Sequence, residues 1–218
     1  METHTTEEQQ IAAAKEWLKQ NGTSIVTGII LGFAVLFGVR AWIAWQDGKA
    51  QLASDIYTVM ISALDRGNSQ EVTDKAGMLI AEHADSGYAA MAALAVAKVR
   101  IEEGQLEAAR AQLQWVLDNS STGYLHDIAR LRLARVMLAQ DDPDGAEQLL
   151  DSAVHGQSEA ALYAELRGDI HLARGEQQQA AQAYRDALAS MSEDFPGRQL
   201  VQMKLDNTDA SSVAGNSP

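Results

Sequence analysis

The sequence has no cysteine, three prolines and three phenylalanines, and aromatic residues make up only 6% of it. Without cysteine there is no disulfide, no thiolate metal ligand and no thiol nucleophile. With proline confined to Pro143, Pro196 and Pro218, long stretches are free of helix breakers. Runs of β-branched and aromatic residues, which strands favour, are scarce. Alanine is abundant and has the best helix propensity. Cations are also few. Lys and Arg number 17 against 30 Asp and Glu, for a net charge of −13. Residues 1–45 hold Glu2, Glu7, Glu8 and Glu16 against Lys15, Lys19 and Arg40, a balance of −1, which leaves −12 on residues 46–218. Such a surface repels nucleic acid and anionic headgroups, so nucleic acid is not an expected partner.

Signs of catalysis are equally thin. The histidines are His4, His83, His126, His155 and His171, and no two lie three or four residues apart. No H-E-x-x-H, phosphate-binding glycine loop or G-x-S-x-G is present. Asp141, Asp142 and Asp144 surround a proline but lack the distal glutamate of a calcium loop, so they read as capping and solvation. Neither a metal, a cofactor nor a catalytic set is expected.

What the sequence does contain is one long apolar run. Residues 20–39 carry no charge, and from Ile25 onward they are mostly Ile, Val, Leu, Phe and Gly. About 20 helical residues cross a bilayer core of about 30 Å. Trp17 flanks one end, and Trp42 and Trp45 the other, where indole rings prefer the headgroup boundary. Arg40 can snorkel to that boundary. A cleavable signal would have a basic leader and a small-residue cleavage site. Here Glu7, Glu8 and Glu16 precede the run and no A-x-A site follows it. The run therefore reads as a retained transmembrane helix at 21–45, after a short tail at 1–20. Lys15 and Lys19 before it balance Arg40 and Lys49 after it, so charge counting leaves the orientation open. Gly28 and Gly32 form a G-x-x-x-G step that either admits a neighbouring helix or is ordinary membrane-helix glycine.

Beyond the anchor a spacing recurs. Ala134, Ala146, Leu150 and Ala153 are matched 34 residues later by Gly168, Ala180, Tyr184 and Ala187. The same offsets occur upstream as Ala97, Ala109, Leu113 and Val116, 37 residues before the middle set. A 34-residue period of small, small, bulky, small is the tetratricopeptide signature. Small side chains midway along two antiparallel helices let their axes approach. The bulky residue one turn on fills the groove against the next pair. Gly104 and Gly175 stand where first helices end, and Asp142-Pro143 caps and opens a second helix.

The expected fold is therefore all-α: one transmembrane helix, then a tetratricopeptide-like α-solenoid over 46–205. Clear repeats fall at about 90–118, 127–155 and 161–191. A degenerate pair at about 50–84 turns through Asp65-Arg66-Gly67-Asn68-Ser69, and a short cap is expected at about 198–205. Residues 206–218 have almost no apolar content and are expected to be disordered.

The order of anchor, linker and acidic repeats resembles the YfgM family, ancillary subunits of the bacterial SecYEG translocon. The likeness spans roughly 10–205. It is carried by Ser86-Gly87-Tyr88-Ala89-Ala90, Ala129-Arg130-Leu131-Arg132-Leu133-Ala134-Arg135, Arg167-Gly168-Asp169-Ile170 and Ala181-Gln182-Ala183-Tyr184. The resemblance implies a non-catalytic inner-membrane protein with a cytoplasmic N-terminus and a periplasmic repeat domain. It implies partnership with the SecYEG translocon, a periplasmic PpiD-type chaperone and unfolded secreted clients. In that family's register, Met91, Leu94, Lys98, Ile128, Leu131, Arg135, Leu162, Glu165 and Asp169 line a groove suited to an amphipathic helix or an unfolded segment. A one-residue shift of register would bury the apolar members instead. The expected function is a membrane-anchored adaptor that links translocation to chaperones and assists folding or hand-over. The alternative is a negative regulator acting on a stress-response regulator through the cytoplasmic tail.

Overall fold

The computed structural model describes residues 7–120, 122–152 and 159–214, and no strand occurs among them. The chain forms two compact units, Met1–Leu52 and Ala53–Pro218. Helix α1, Glu7–Asp65, contributes to both.

The first unit is the apolar stretch of α1. Ile29, Leu31, Phe33, Val35 and Phe37 are all exposed around the helix. Val26–Asp65 is long and apolar enough to cross a membrane, and its apolar window is nowhere buried inside protein. A core helix of a soluble domain would be covered. The expected boundaries at 20 and 45 have no counterpart in the backbone. The helix begins at Glu7, inside the expected tail, and runs through the expected linker to Asp65. No proline precedes Pro143, and Gly48, the glycine between the apolar run and Asp65, costs a helix only about 1 kcal/mol.

The second unit comprises residues 53–65 of α1, α2 (Ser69–Glu82), α3 (Gly87–Glu102), α4 (Leu106–Asn119), α5 (Gly123–Ala139), α6 (Pro143–Asp151), α7 (Ala160–Ala173), α8 (Gln177–Ser190) and α9 (Arg198–Ala214). Four antiparallel pairs share one turn. The backbone is left-handed at Gly67, Gly104, Asp141 and Gly175, with φ of 70, 73, 60 and 76°. After each comes an amide that reaches back five residues: Asn68 N to Ala63 O, Gln105 N to Arg100 O, Asp142 N to Met137 O and Glu176 N to His171 O, at 2.7–3.0 Å. These bonds take up carbonyls that a helix end would leave orphaned. The second helix then starts at once. Asn68 and Asp142 accept from Glu71 N and Gly145 N, and Pro143 supplies a preset first turn. The pair built from α1 and α2 is thus a repeat of the same geometry.

The core follows the interval. Ala97, Ala109, Leu113, Val116, Ala134, Ala146 and Leu150 are buried in one cluster that also takes in Tyr163 and Ile170. Ala180, Tyr184 and Ala187 are buried in a second, with Val201 and Leu205. Residues 53–65 of α1 place Ala53, Met60 and Ala63 against Val72, Leu79 and Val96 in a third. Each fully buried leucine contributes roughly 1.5–3 kcal/mol over leaving it exposed. Ala153, expected among the packing residues, lies outside the described residues, as does the end of the expected 127–155 repeat.

The far end departs from expectation. The cap is not a short helix ending near Leu205 but runs on into the segment expected to be disordered. α9 continues to Ala214. Val201, Leu205 and Thr208 are buried on one face, and Thr208 Oγ1 donates to Lys204 O at 2.8 Å. That spacing of four and three residues is a helical stripe, sparse enough to pass for polar tail.

Candidate binding groove

The first helices of successive pairs stand side by side, with α3 touching α5 and α5 touching α7. This row is the surface that a tetratricopeptide stack offers to partners. Nine residues were expected to line it, and they divide by burial. Leu94 and Leu131 are buried in the core cluster. Ile128 and Leu162 are partly buried against that cluster, and Met91 is half-buried. Lys98 and Arg135 are exposed, and Lys98 sits 3.7 Å from Glu102.

Glu165 and Asp169 are engaged by the cap. Lys204 Nζ on α9 donates to Glu165 Oε1 at 2.7 Å and to both Asp169 carboxylate oxygens at 2.8 Å. Arg135 lies 3.7 Å from the second Glu165 oxygen. Tyr184 donates its hydroxyl to Asp169 Oδ1 at 2.8 Å. Burial pushes the Tyr184 phenol well above its ordinary value, and the Asp169 and Glu165 charges push it further. A similar link joins α7 to α5, where Tyr163 donates to Asp127 Oδ1 at 3.0 Å beside Arg130. Burial likewise raises Tyr163.

The turn edge carries its own inter-repeat clamp. Arg174 contacts Glu147 at 2.5 Å and Asp144 at 2.6 Å, fastening the α7–α8 turn to α6. Those bonds, Glu147 first, raise the guanidinium above its already high value. Asp144 therefore has a role in ion pairing as well as in solvation. Sequence reasoning missed Lys204, whose partners lie 35 and 39 residues away on another helix. It also missed an apolar hollow beside Arg135, lined by Ile101, Leu106, Arg132, Val136 and Ala139.

With this geometry in view, comparison with known proteins decides the family. A family described as tetratricopeptide repeat-like domain matches residues 15–210. A protein of Escherichia coli named ancillary SecYEG translocon subunit is 33% identical over 95% of this chain and 98% of its own length. The chain belongs to this tetratricopeptide repeat-like family of ancillary SecYEG translocon subunits. The family member of Haemophilus influenzae is 33% identical over 92% of this chain and 97% of its own. That of Neisseria gonorrhoeae is 28% identical over 95% and 99%. Among solved structures, the MamA RS-1 ArsTM double mutant superposes with a TM-score of 0.53 at 15% identity, covering 73% of this chain and 96% of that one. At that identity the likeness speaks for the fold alone. The fold expected from the alanine interval and the family suggested by the sequence are both upheld.

Proposed function

We propose that the chain is a non-catalytic, membrane-tethered adaptor that binds the SecYEG translocon and presents its repeat domain to a periplasmic chaperone of the PpiD type and to emerging clients. The observation that carries this is the joining, in one family member, of an apolar helix uncovered by protein to a stack of helix pairs whose first-helix row keeps Lys98, Arg135 and half-buried Met91, Ile128 and Leu162 accessible. Stacked pairs recognise chain segments by surface, and no reaction centre is needed for that. The apolar helix holds the domain in the inner membrane, with residues 53–218 on the periplasmic side. Tethering raises local concentration, so individually weak contacts suffice for hand-over.

Photocrosslinking from Met91 and Lys98 positions in native membranes is expected to recover translocon subunits and a periplasmic chaperone. Protease added to spheroplasts is expected to digest the repeat domain. Correctly inserted protein that traps neither partner would defeat the adaptor reading, and a protected domain would reverse its side.

A further inference from the structure

Ile101 lies in the last turn of α3 and, after the Gly104 turn, α4 opens with Leu106. Against this corner lies the second half of α5. Ile101, Leu106, Arg132, Arg135, Val136 and Ala139 enclose a cavity of about 190 Å³, open to the surface and walled almost wholly by carbon. Ile101 is 39% exposed, and among the described residues nothing closes over it. Water in such a hollow finds few bonding partners, whereas one aliphatic side chain fills it.

The rim carries charge of the scarce sign. Arg132 is exposed and has no charged partner among the described residues. Arg135 is only weakly committed, since Glu165, 3.7 Å away, is already held by Lys204 at 2.7 Å. Two available guanidiniums beside an apolar hollow, on a chain of net charge −13, define the occupant by charge. It has an apolar group for the cavity and a carboxylate for the rim. A guanidinium fork matches a carboxylate in plane and distance. The acidic surroundings disfavour a run of acids and favour a single one.

We propose that this cavity binds an extended polypeptide segment in which an aliphatic residue is followed by an acidic one. The aliphatic side chain enters between Ile101 and Val136, and the carboxylate sits on Arg132 with Arg135 beside it. The proposal rests on the adaptor reading and deepens it by naming the class of partner segment.

The test uses the full chain in detergent micelles and three fluorescein-labelled Gly/Ser peptides, carrying Leu-Asp, Leu-Asn or Ala-Asp at the centre. Fluorescence anisotropy is expected to show the Leu-Asp peptide binding about tenfold more tightly than either control. Arg132→Gln is expected to bring Leu-Asp down to Leu-Asn. Ala139→Phe, at an exposed position that spares the core, fills the cavity and makes all three alike. Equal affinities for the three peptides in the wild-type chain, or no binding, overturn the proposal whatever the variants do. Translocon crosslinking in native membranes separates the two ideas. Crosslinks retained without peptide selectivity remove the cavity assignment and leave the adaptor. Selectivity without crosslinks upholds the cavity and removes the adaptor.

Discussion

A methyl group built on Gly168 would overlap the ring of Tyr184. In the pairs α3–α4 and α5–α6 the same places hold alanine and leucine, Ala97 with Leu113 and Ala134 with Leu150. Where the bulky partner grows to tyrosine, the small one shrinks to glycine. Gly168 therefore stays despite a helix penalty of about 1 kcal/mol relative to alanine. Gly168→Ala is expected to destabilise the domain by about 1–3 kcal/mol, because overpacking outweighs the propensity gain. Adding Tyr184→Leu should recover part of that loss, read as a coupling energy in chemical denaturation. Simple additivity of the two changes would show that the pair does not set the helix spacing. Tyr184 also makes stability depend on alkaline pH. Its folded phenol holds its proton more tightly than in the unfolded chain, where the ordinary value is 10.0. That contribution is complete below about pH 10 and is lost as pH rises above it. The denaturation midpoint should fall as pH rises above about 10, and fall less in Tyr184→Phe. An equal fall in both proteins would place the alkaline loss elsewhere. At this scale the packing residues were legible because small side chains recur at a fixed interval. The left-handed backbone at Asp141 was not, because aspartate tolerates that conformation without advertising it as glycine does. The nearby prolyl turn drew attention to capping instead.

Among the helices, α9 closes the stack by charge as well as by apolar contact. Lys204 faces Glu165, whose side chain is 10% exposed, and Asp169. Without the ammonium, two largely buried carboxylates would face each other, with Arg135 3.7 Å from Glu165 and the Tyr184 hydroxyl on Asp169. Removing one partner of a fully buried pair costs about 3–5 kcal/mol, and partial exposure here lowers that to roughly 2 kcal/mol. Lys204→Met should therefore loosen α9 first. Hydrogen exchange is the measurement: amides of α9 should exchange faster while those of α3 to α6 keep their protection. Uniform loss of protection would mean that the cap supports the whole stack and not only its end. Helix pairs and turns could be placed from sequence because glycine, proline and alanine mark them. The length of α9 could not, since Val201, Leu205 and Thr208 are a thin stripe in a polar segment. The residues expected to line a groove divide by burial. Lys98 and Arg135 are accessible, but the apolar members Leu94 and Leu131 turn inward, as a slight rotation of the assumed register allows.

For the molecule as a whole, the apolar helix and the repeat domain perform separable tasks in the proposed adaptor. The helix supplies residence at the bilayer, and the domain supplies recognition. The glycines at 28 and 32 test that division. Among the described residues nothing of the chain lies near a side chain added at either position, so both are free to carry one without disturbing the fold. If residence alone is needed, replacing both by leucine changes only lipid contact. Gly28→Leu with Gly32→Leu is thus expected to insert normally, resist carbonate extraction and give the same translocon crosslinks as the wild-type chain. Loss of crosslinks with insertion intact would move the decisive contact into the bilayer, where close helix approach depends on small residues. The row formed by α3, α5 and α7 would then be left for chaperone and client alone.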